Sequence, residues 1–219
     1  MRKFLVGATA LCTTVLFLVP GFAMAQSVRD WTGPYVGASL GAVNSRSSIL
    51  LTPSSFSSAE IPLSGSLVGV NAGFDYDFGA AVIGLEAEAA GTNAIANVDN
   101  GSSYGAGLSS LLSLRARLGL KAGDALIYGT GGIAGGRVST STQIGAGSEV
   151  FTSTFATGTI VGAGIEYALT DTISIKTEGL MYQLASVQGA GDSGKLGSAY
   201  TSDYKPTGAV LKTGINFRL

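Results

Sequence analysis

Along most of the chain apolar side chains recur at every second position, the spacing of a strand with two unlike faces. From Leu112 onward Leu112, Leu114, Ala116, Leu118 and Leu120 share one face, while Ser113, Arg115, Arg117, Gly119 and Lys121 share the other. From Ile83 the apolar face is Ile83, Leu85, Ala87 and Ala89, set against Gly84, Glu86 and Glu88. A helix would place Arg115 and Arg117 on different faces, whereas a strand puts both on one. Similar runs at Val68–Tyr76, Val161–Leu169, Ile173–Tyr182 and Leu211–Leu219, with weaker glycine-rich runs at Tyr35–Asn44 and Leu126–Arg137, bring the predicted strands to eight. In Leu126–Arg137 glycines occupy both candidate faces, so its inward and outward register stays open.

The connections add a second pattern. Three are tight, at Asp77–Ala80, Lys121–Asp124 and Leu169–Thr172, and carry Gly or Asp suited to hairpins. Four are long and rich in Ser, Gly, Asn and Thr: Ser45–Ser64, Thr92–Ser109, Ser139–Ser153 and Ala185–Lys205. Short and long alternate, so an up-and-down barrel has every tight turn at one end and every long loop at the other. Outer-membrane barrels show that asymmetry.

The distribution of charge decides between a soluble barrel and a membrane barrel. The apolar faces carry no charge over about nine to eleven residues, the length a tilted strand needs to cross a bilayer. The opposite faces mix glycine with Asp75, Glu86, Glu88, Glu166 and Glu178 against Arg115, Arg117, Lys176, Lys212 and Arg218. A narrow enclosed lumen requires such a balance, because unpaired charge inside it is costly. The ten residues are therefore expected to form a lumen ion-pair network. Trp31, Tyr35, Tyr76, Phe78, Tyr167 and Phe217 fall near the turn end of their strands, where a membrane-interface girdle of aromatics belongs. A second aromatic group, Tyr104, Phe151, Phe155 and Tyr204, falls near the loop end.

The N-terminal residues read as an address. Arg2 and Lys3 precede an apolar run from Phe4 to Val19, and Pro20 and Gly21 break it before Ala23-Met24-Ala25. That is a secretory signal with its small-x-small cleavage site, leaving Gln26 as the new N-terminus. Residues 1–25 are then a signal peptide and residues 26–219 one barrel domain. Removal takes away the one Cys of the chain, so the mature protein forms no disulfide, and it leaves 11 basic against 14 acidic residues.

Composition narrows the chemistry. The chain has no His and a single Cys, so His-based acid–base catalysis and Cys/His metal sites lack material. A net charge of −1 without a Lys/Arg cluster disfavours nucleic acid. Charged residues make up 12% of the chain, about half the ~25% of a soluble domain, and its 33 glycines are about twice the usual ~7%.

Several stretches resemble the small outer-membrane immunogenic proteins of Gram-negative bacteria, a porin-like family of surface-antigen barrels. They are Trp31-Thr32-Gly33-Pro34-Tyr35-Val36-Gly37, Gly73-Phe74-Asp75-Tyr76-Asp77-Phe78-Gly79 and Gly84-Leu85-Glu86-Ala87-Glu88 in the first half. In the second half they are Arg115-Ala116-Arg117-Leu118-Gly119, Tyr128-Gly129-Thr130-Gly131-Gly132 and Gly162-Ala163-Gly164-Ile165-Glu166-Tyr167-Ala168-Leu169-Thr170-Asp171, continuing to Lys176 and Glu178. The resemblance implies an eight-stranded outer-membrane barrel with surface loops and no enzymatic activity. Such barrels usually end on an aromatic residue read by the barrel assembly machinery, whereas this chain ends Phe217-Arg218-Leu219.

Two motifs invite enzymatic readings and carry bland ones better. Glu86 and Glu88 stand about 7 Å apart on one strand face, a spacing compatible with glycoside hydrolysis. An ion-pair ladder with Arg115 and Arg117 on the next strand accounts for them better. Gly129-Thr130-Gly131-Gly132-Ile133-Ala134 fits a dinucleotide fingerprint, but no helix pattern follows it. The expected fold is all-β: an eight-stranded antiparallel up-and-down transmembrane barrel in the cell outer membrane, its partners the lipid bilayer and the assembly machinery. No catalytic residue, cofactor or metal is expected, and the ligand of the loops is unknown. The expected function is a structural, surface-exposed role of antigen or adhesion type, with a small-solute porin of narrow charged lumen as the alternative.

Overall fold

The computed structural model describes residues 29–52, 59–99, 102–144, 150–185, 187–191 and 200–219. The expected signal segment, with Ala23, Ala25 and Gln26, lies outside the described residues. Among the described residues nine strands run in chain order: β1 (Gly33–Thr52), β2 (Ala59–Asp77), β3 (Ala81–Asp99), β4 (Ser102–Ala122), β5 (Ala125–Ile144), β6 (Val150–Ala168), β7 (Ile173–Leu184), β8 (Val187–Gly191) and β9 (Tyr200–Arg218). All neighbours are antiparallel, and β1 pairs with β9 from Tyr35↔Arg218 to Thr52↔Thr201, which closes the sheet. β8 pairs with the same edge of β9 as β7 does, displaced by one residue. The two form one wall beside β9, so the barrel has eight walls.

The register fixes its shape. Starting at Tyr35, the directly opposed residues are Gly73, Glu86, Arg115, Gly132, Ile160, Tyr182, Gly208 and finally Ser45, ten residues further along β1. A sheet that closes with such a stagger has strongly tilted strands, about 35–45° from the axis. Its bore is one that side chains fill.

Tight turns join β2 to β3, β4 to β5 and β6 to β7. Gly79 (φ 99°) and Gly123 (φ 65°) supply the left-handed backbone that the first two need. In the first the Phe78 amide donates to the Ala81 carbonyl at 2.8 Å and the Gly79 amide to Asp77 Oδ1 at 2.7 Å. In the third the Thr170 hydroxyl accepts the Ile173 amide at 3.0 Å.

At the other end the expected long loops are largely strand. Ser45–Ile49 pairs with Leu63–Ala59, and the β3–β4 ladder runs on to Asp99↔Ser103. Ser, Thr and Gly on both faces leave no hydrophobic alternation to read, yet the backbone ladder needs none to continue. The β5 register is also settled: Leu126, Tyr128, Ala134 and Val138 point inward, and Ile127 and Ile133 outward. The fingerprint-like Gly129–Ala134 stretch lies inside this strand, which continues to Ile144.

One feature divides the barrel by height. Toward the tight turns the outer face is apolar and the inner face polar; toward the loops this inverts. In β2, Val68, Val70, Phe74 and Tyr76 are exposed above buried Asn71 and Asp75, whereas farther along Leu63 and Leu67 are buried and Ser64 and Ser66 exposed. Each wall strand marks the inversion with two adjacent apolar residues, one outward and one inward. In the first four walls these are Ala42-Val43, Val68-Leu67, Ala89-Ala90 and Leu112-Leu111. In the remaining walls they are Ile133-Ala134, Val161-Ile160, Met181-Leu180 and Leu211-Val210. The exposure contrast is large: Val68 is 68% exposed and its neighbour Leu67 2%.

A closed ladder of this kind resists detergent. Unheated protein refolded in detergent should migrate apart from a boiled sample on a denaturing gel; identical migration would show that the ladder does not close.

Candidate functional site: the charged lumen

All ten charged residues expected in the lumen point inward on β2, β3, β4, β6, β7 and β9, and they form a connected network. Alternation places them there, since each shares strand parity with other inward residues while its neighbours face outward. Nine are buried; Arg218, at the turn end, is partly exposed.

The network has two nodes. Toward the turns, Arg117 donates from Nε to Asp75 Oδ1 at 2.7 Å, from a second nitrogen to Asp75 Oδ2, and from the third to Glu166 Oε2 at 2.9 Å. Arg218 reaches Asp75 at 3.0 Å. Glu166 also accepts from Ser174 at 2.5 Å and from Asn216 at 3.0 Å. Farther in, Arg115 bridges Glu86 and Glu88, Lys176 donates to Glu86 at 2.6 Å, and Lys212 pairs with Glu88 and, at 2.8 Å, with Glu178. Asn71 joins the nodes, donating to Asn216 at 3.0 Å and lying 3.4 Å from Glu86.

Glu86 does face Arg115 directly, but Arg117 turns to Asp75 and Glu166 rather than to Glu86 or Glu88. The cause is register: Arg117 stands opposite Gly84, whose missing side chain lets the guanidinium reach across to Asp75 on β2.

Trp31 and Tyr35 correct the expected girdle. Both lie inside the barrel, Trp31 at 0% and Tyr35 at 1% exposure. Tyr35 shares parity with Gly37 and Ser39 rather than with outward Val36 and Leu40, and its hydroxyl donates to Glu86 at 2.9 Å. Trp31 precedes β1 and folds under the turn end of the lumen. Its amide donates to Asp77 at 3.0 Å, its carbonyl accepts from Arg218, and Arg29 and Arg218 lie over its ring at 5.3 and 5.2 Å. It packs with Val82, Leu126, Tyr128 and Ala168 as an apolar cap. Tyr76, Phe78, Tyr167 and Phe217 do face outward. Of the second aromatic group, the side chains of Tyr104, Phe151 and Tyr204 lie outside the described residues, and Phe155 faces outward.

One lumen residue absent from the expected set lies on β5, whose facing the sequence leaves open and whose pairing with β4 and β6 settles it. Tyr128 donates to Glu178 at 2.9 Å and sandwiches the Arg117 guanidinium with Tyr35, at 5.1 and 4.7 Å. Among the described residues, each inward tyrosine lies beside a directly opposed glycine: Tyr35 by Gly73, Tyr128 by Gly164, Tyr182 by Gly208. A Cβ at Gly164 would lie 2.8 Å from the Tyr128 hydroxyl.

Carboxylate oxygens of Glu86, Glu88 and Glu178 converge within 4.8 Å, a grouping able to hold a cation. Arg115, Lys176 and Lys212 already supply three positive charges to that space. The arrangement therefore neutralises itself rather than inviting an ion.

A model of the outer membrane protein beta-barrel domain matches residues 13–217. The chain belongs to that family. It is an outer-membrane protein, and the uncharged part of its outward face, toward the tight turns, is the surface that meets lipid. The 31 kDa outer-membrane immunogenic protein of Brucella melitensis biotype 1 is 27% identical over 197 residues, covering 80% of this chain and 81% of the relative, and its counterpart in Brucella suis biovar 1 matches equally. These relatives bear out the resemblance read from the sequence. The crystal structure of OprG from Pseudomonas aeruginosa has the same fold, with TM-score 0.51 and 15% identity over 86% of this chain and 97% of that one.

Removing one partner from a buried ion network strands the rest and costs about 3–5 kcal/mol. Arg115→Met should therefore lower the unfolding free energy of the barrel by that order in urea titrations. A change inside the ~1 kcal/mol of exposed pairs would mean that the lumen charges are solvated.

Proposed function

We propose that this outer-membrane barrel is a filled, non-conducting anchor that presents its long connections at the cell surface, in a structural role of antigen or adhesion type. The observation that carries this reading is the triple filling of the bore. Trp31 and its neighbours cap the turn end. The ion network occupies the middle. Val43, Leu63, Leu67, Leu108, Val138 and Leu184, with further apolar residues, close the side toward the loops. The alternative of a small-solute pore needs a continuous polar path, and apolar layers interrupt it at both ends.

In this reading the tight turns face the periplasm and the long connections face the outside, the arrangement of bacterial outer-membrane barrels. The outward Tyr76, Phe78, Tyr167 and Phe217 sit at the inner membrane–water interface, where amphipathic rings are favoured. The Brucella relatives are named for immunogenicity, which fits surface display. Catalysis forms no part of the reading, nor does any cofactor. Residues 1–25 act as the export signal, and the assembly machinery inserts the mature chain.

Refolded protein in planar bilayers should give no channel events above background; steady conductance would overturn the anchor reading. Intact-mass measurement of the protein from outer membranes should place the N-terminus at Gln26, and retention of residues 1–25 would remove the signal reading.

A further inference from the structure

We infer that the ring of eight apolar doublets marks the outer surface of the bilayer, so that the part of the barrel beyond it stands in water as a rigid sleeve. The inference draws on outer-membrane location and does not rest on whether the bore conducts.

Three observations carry it. The first is that the doublets share one height. Passing from each wall strand to the next, the doublet lies zero to two residues from the position directly opposite its neighbour, always displaced toward the turns. These small, like-signed steps distribute the ten-residue stagger evenly, and a level ring in a tilted barrel requires that. A ring skewed to the axis would have crowded the steps onto one side of the barrel.

The second is what lies on each side. Among the described outward residues between the ring and the exposed Tyr76, Phe78, Tyr167 and Phe217, none is charged. The one polar pair there, Thr177 and Thr213, has hydroxyls 3.3 Å apart. From Val68 to Tyr76 is eight residues of β2, or roughly 20 Å of height at ~3.3 Å per residue and a ~40° tilt. With side chains added, that approaches the ~25 Å apolar band of such barrels. On the loop side the outward residues turn to Asn44, Ser64, Ser66, Asn93, Arg137 and Thr157. Phe155 is the one large apolar side chain facing outward there among the described residues, and it lies against Gly135.

The third is the interior. Where the outer face meets lipid, the lumen can be polar, because lipid holds the wall. A wall with water outside and charge inside would bury little apolar surface and be held mainly by backbone hydrogen bonds. The inward apolar residues begin at the ring and continue beyond it, so the strands adopt soluble-barrel polarity where they leave the membrane. β2 and β3 run eight to nine residues past it, to Ala59 and Asp99, a projection of roughly 20 Å.

Single cysteines in a Cys12→Ser background test this in barrels refolded into phosphatidylcholine vesicles and probed with a water-soluble maleimide dye. Ser64→Cys and Thr157→Cys lie four residues beyond their doublets' outward members, on different walls. Val70→Cys and Ala163→Cys lie two residues inside. The two outer variants should label as fully as urea-unfolded protein, while the two inner variants lose labelling. Each variant is first shown to be folded by its heat-dependent migration, and either member of a pair suffices. Protection of Ser64→Cys and Thr157→Cys would raise the bilayer surface to the level of Phe155 and overturn the inference. Labelling of Val70→Cys or Ala163→Cys as complete as that of the outer variants would also overturn it.

Discussion

A bilayer offers no partner for a backbone amide or carbonyl, and that constraint organises the whole molecule. Eight walls satisfy it only when the last strand finds the first, which the β1–β9 ladder does along its length. Closure with a ten-residue stagger then sets the bore, and the bore sets the chemistry. Every inward side chain must share a cylinder a few side chains across. Long residues fit there only beside short ones, which is why inward tyrosines face glycines and why Arg117 reaches Asp75 across Gly84. The glycine content of the sequence is thus a geometric consequence of closure as much as a feature of turns.

Charge balance follows from the same enclosure. Arg115 touches three carboxylates, and Glu86 and Glu178 each touch more than one cation. No pair in this group is separable, and the network is held as a unit. Buried pairs seldom stabilise a fold relative to apolar packing. Their value here lies in the inward face being polar at all: a strand apolar on both faces would lose the contrast that fixes which face meets lipid, and a one-residue slip would reverse that face.

Much of this was legible in the sequence. Parity alone put Glu86 and Glu88 with Arg115 in one lumen, because charge on alternate positions has few other meanings between lipid-length apolar runs. An aromatic near a strand end reads as a girdle residue, which misplaces Trp31 and Tyr35, although the parity of Tyr35 points inward. The choice of Arg117 between acidic partners depends on register across three strands, which no single strand encodes. The extended strands beyond Val43, Leu67 or Ala90 leave no signature in the sequence, because Ser, Thr and Gly on both faces carry no contrast. The β5 register was ambiguous for the related reason that Gly129, Gly131, Gly132, Gly135 and Gly136 give neither face an identity, and β4 and β6 decide it.

The inversion of polarity gives one sequence two folding environments. Below the ring, apolar residues reward insertion; above it, the same residue types reward collapse of the bore. A doublet such as Leu67-Val68 or Ile160-Val161 is where the two rewards meet, one side chain packed among its neighbours and the next in lipid. Sliding a strand by two residues keeps parity intact but moves a lumen charge toward the apolar layer, or an apolar residue toward the ions. The ring therefore fixes depth, as alternation fixes facing. Together they leave the chain one height in the membrane, with the wall between Val68 and Tyr76 in lipid and the wall beyond Leu67 in water.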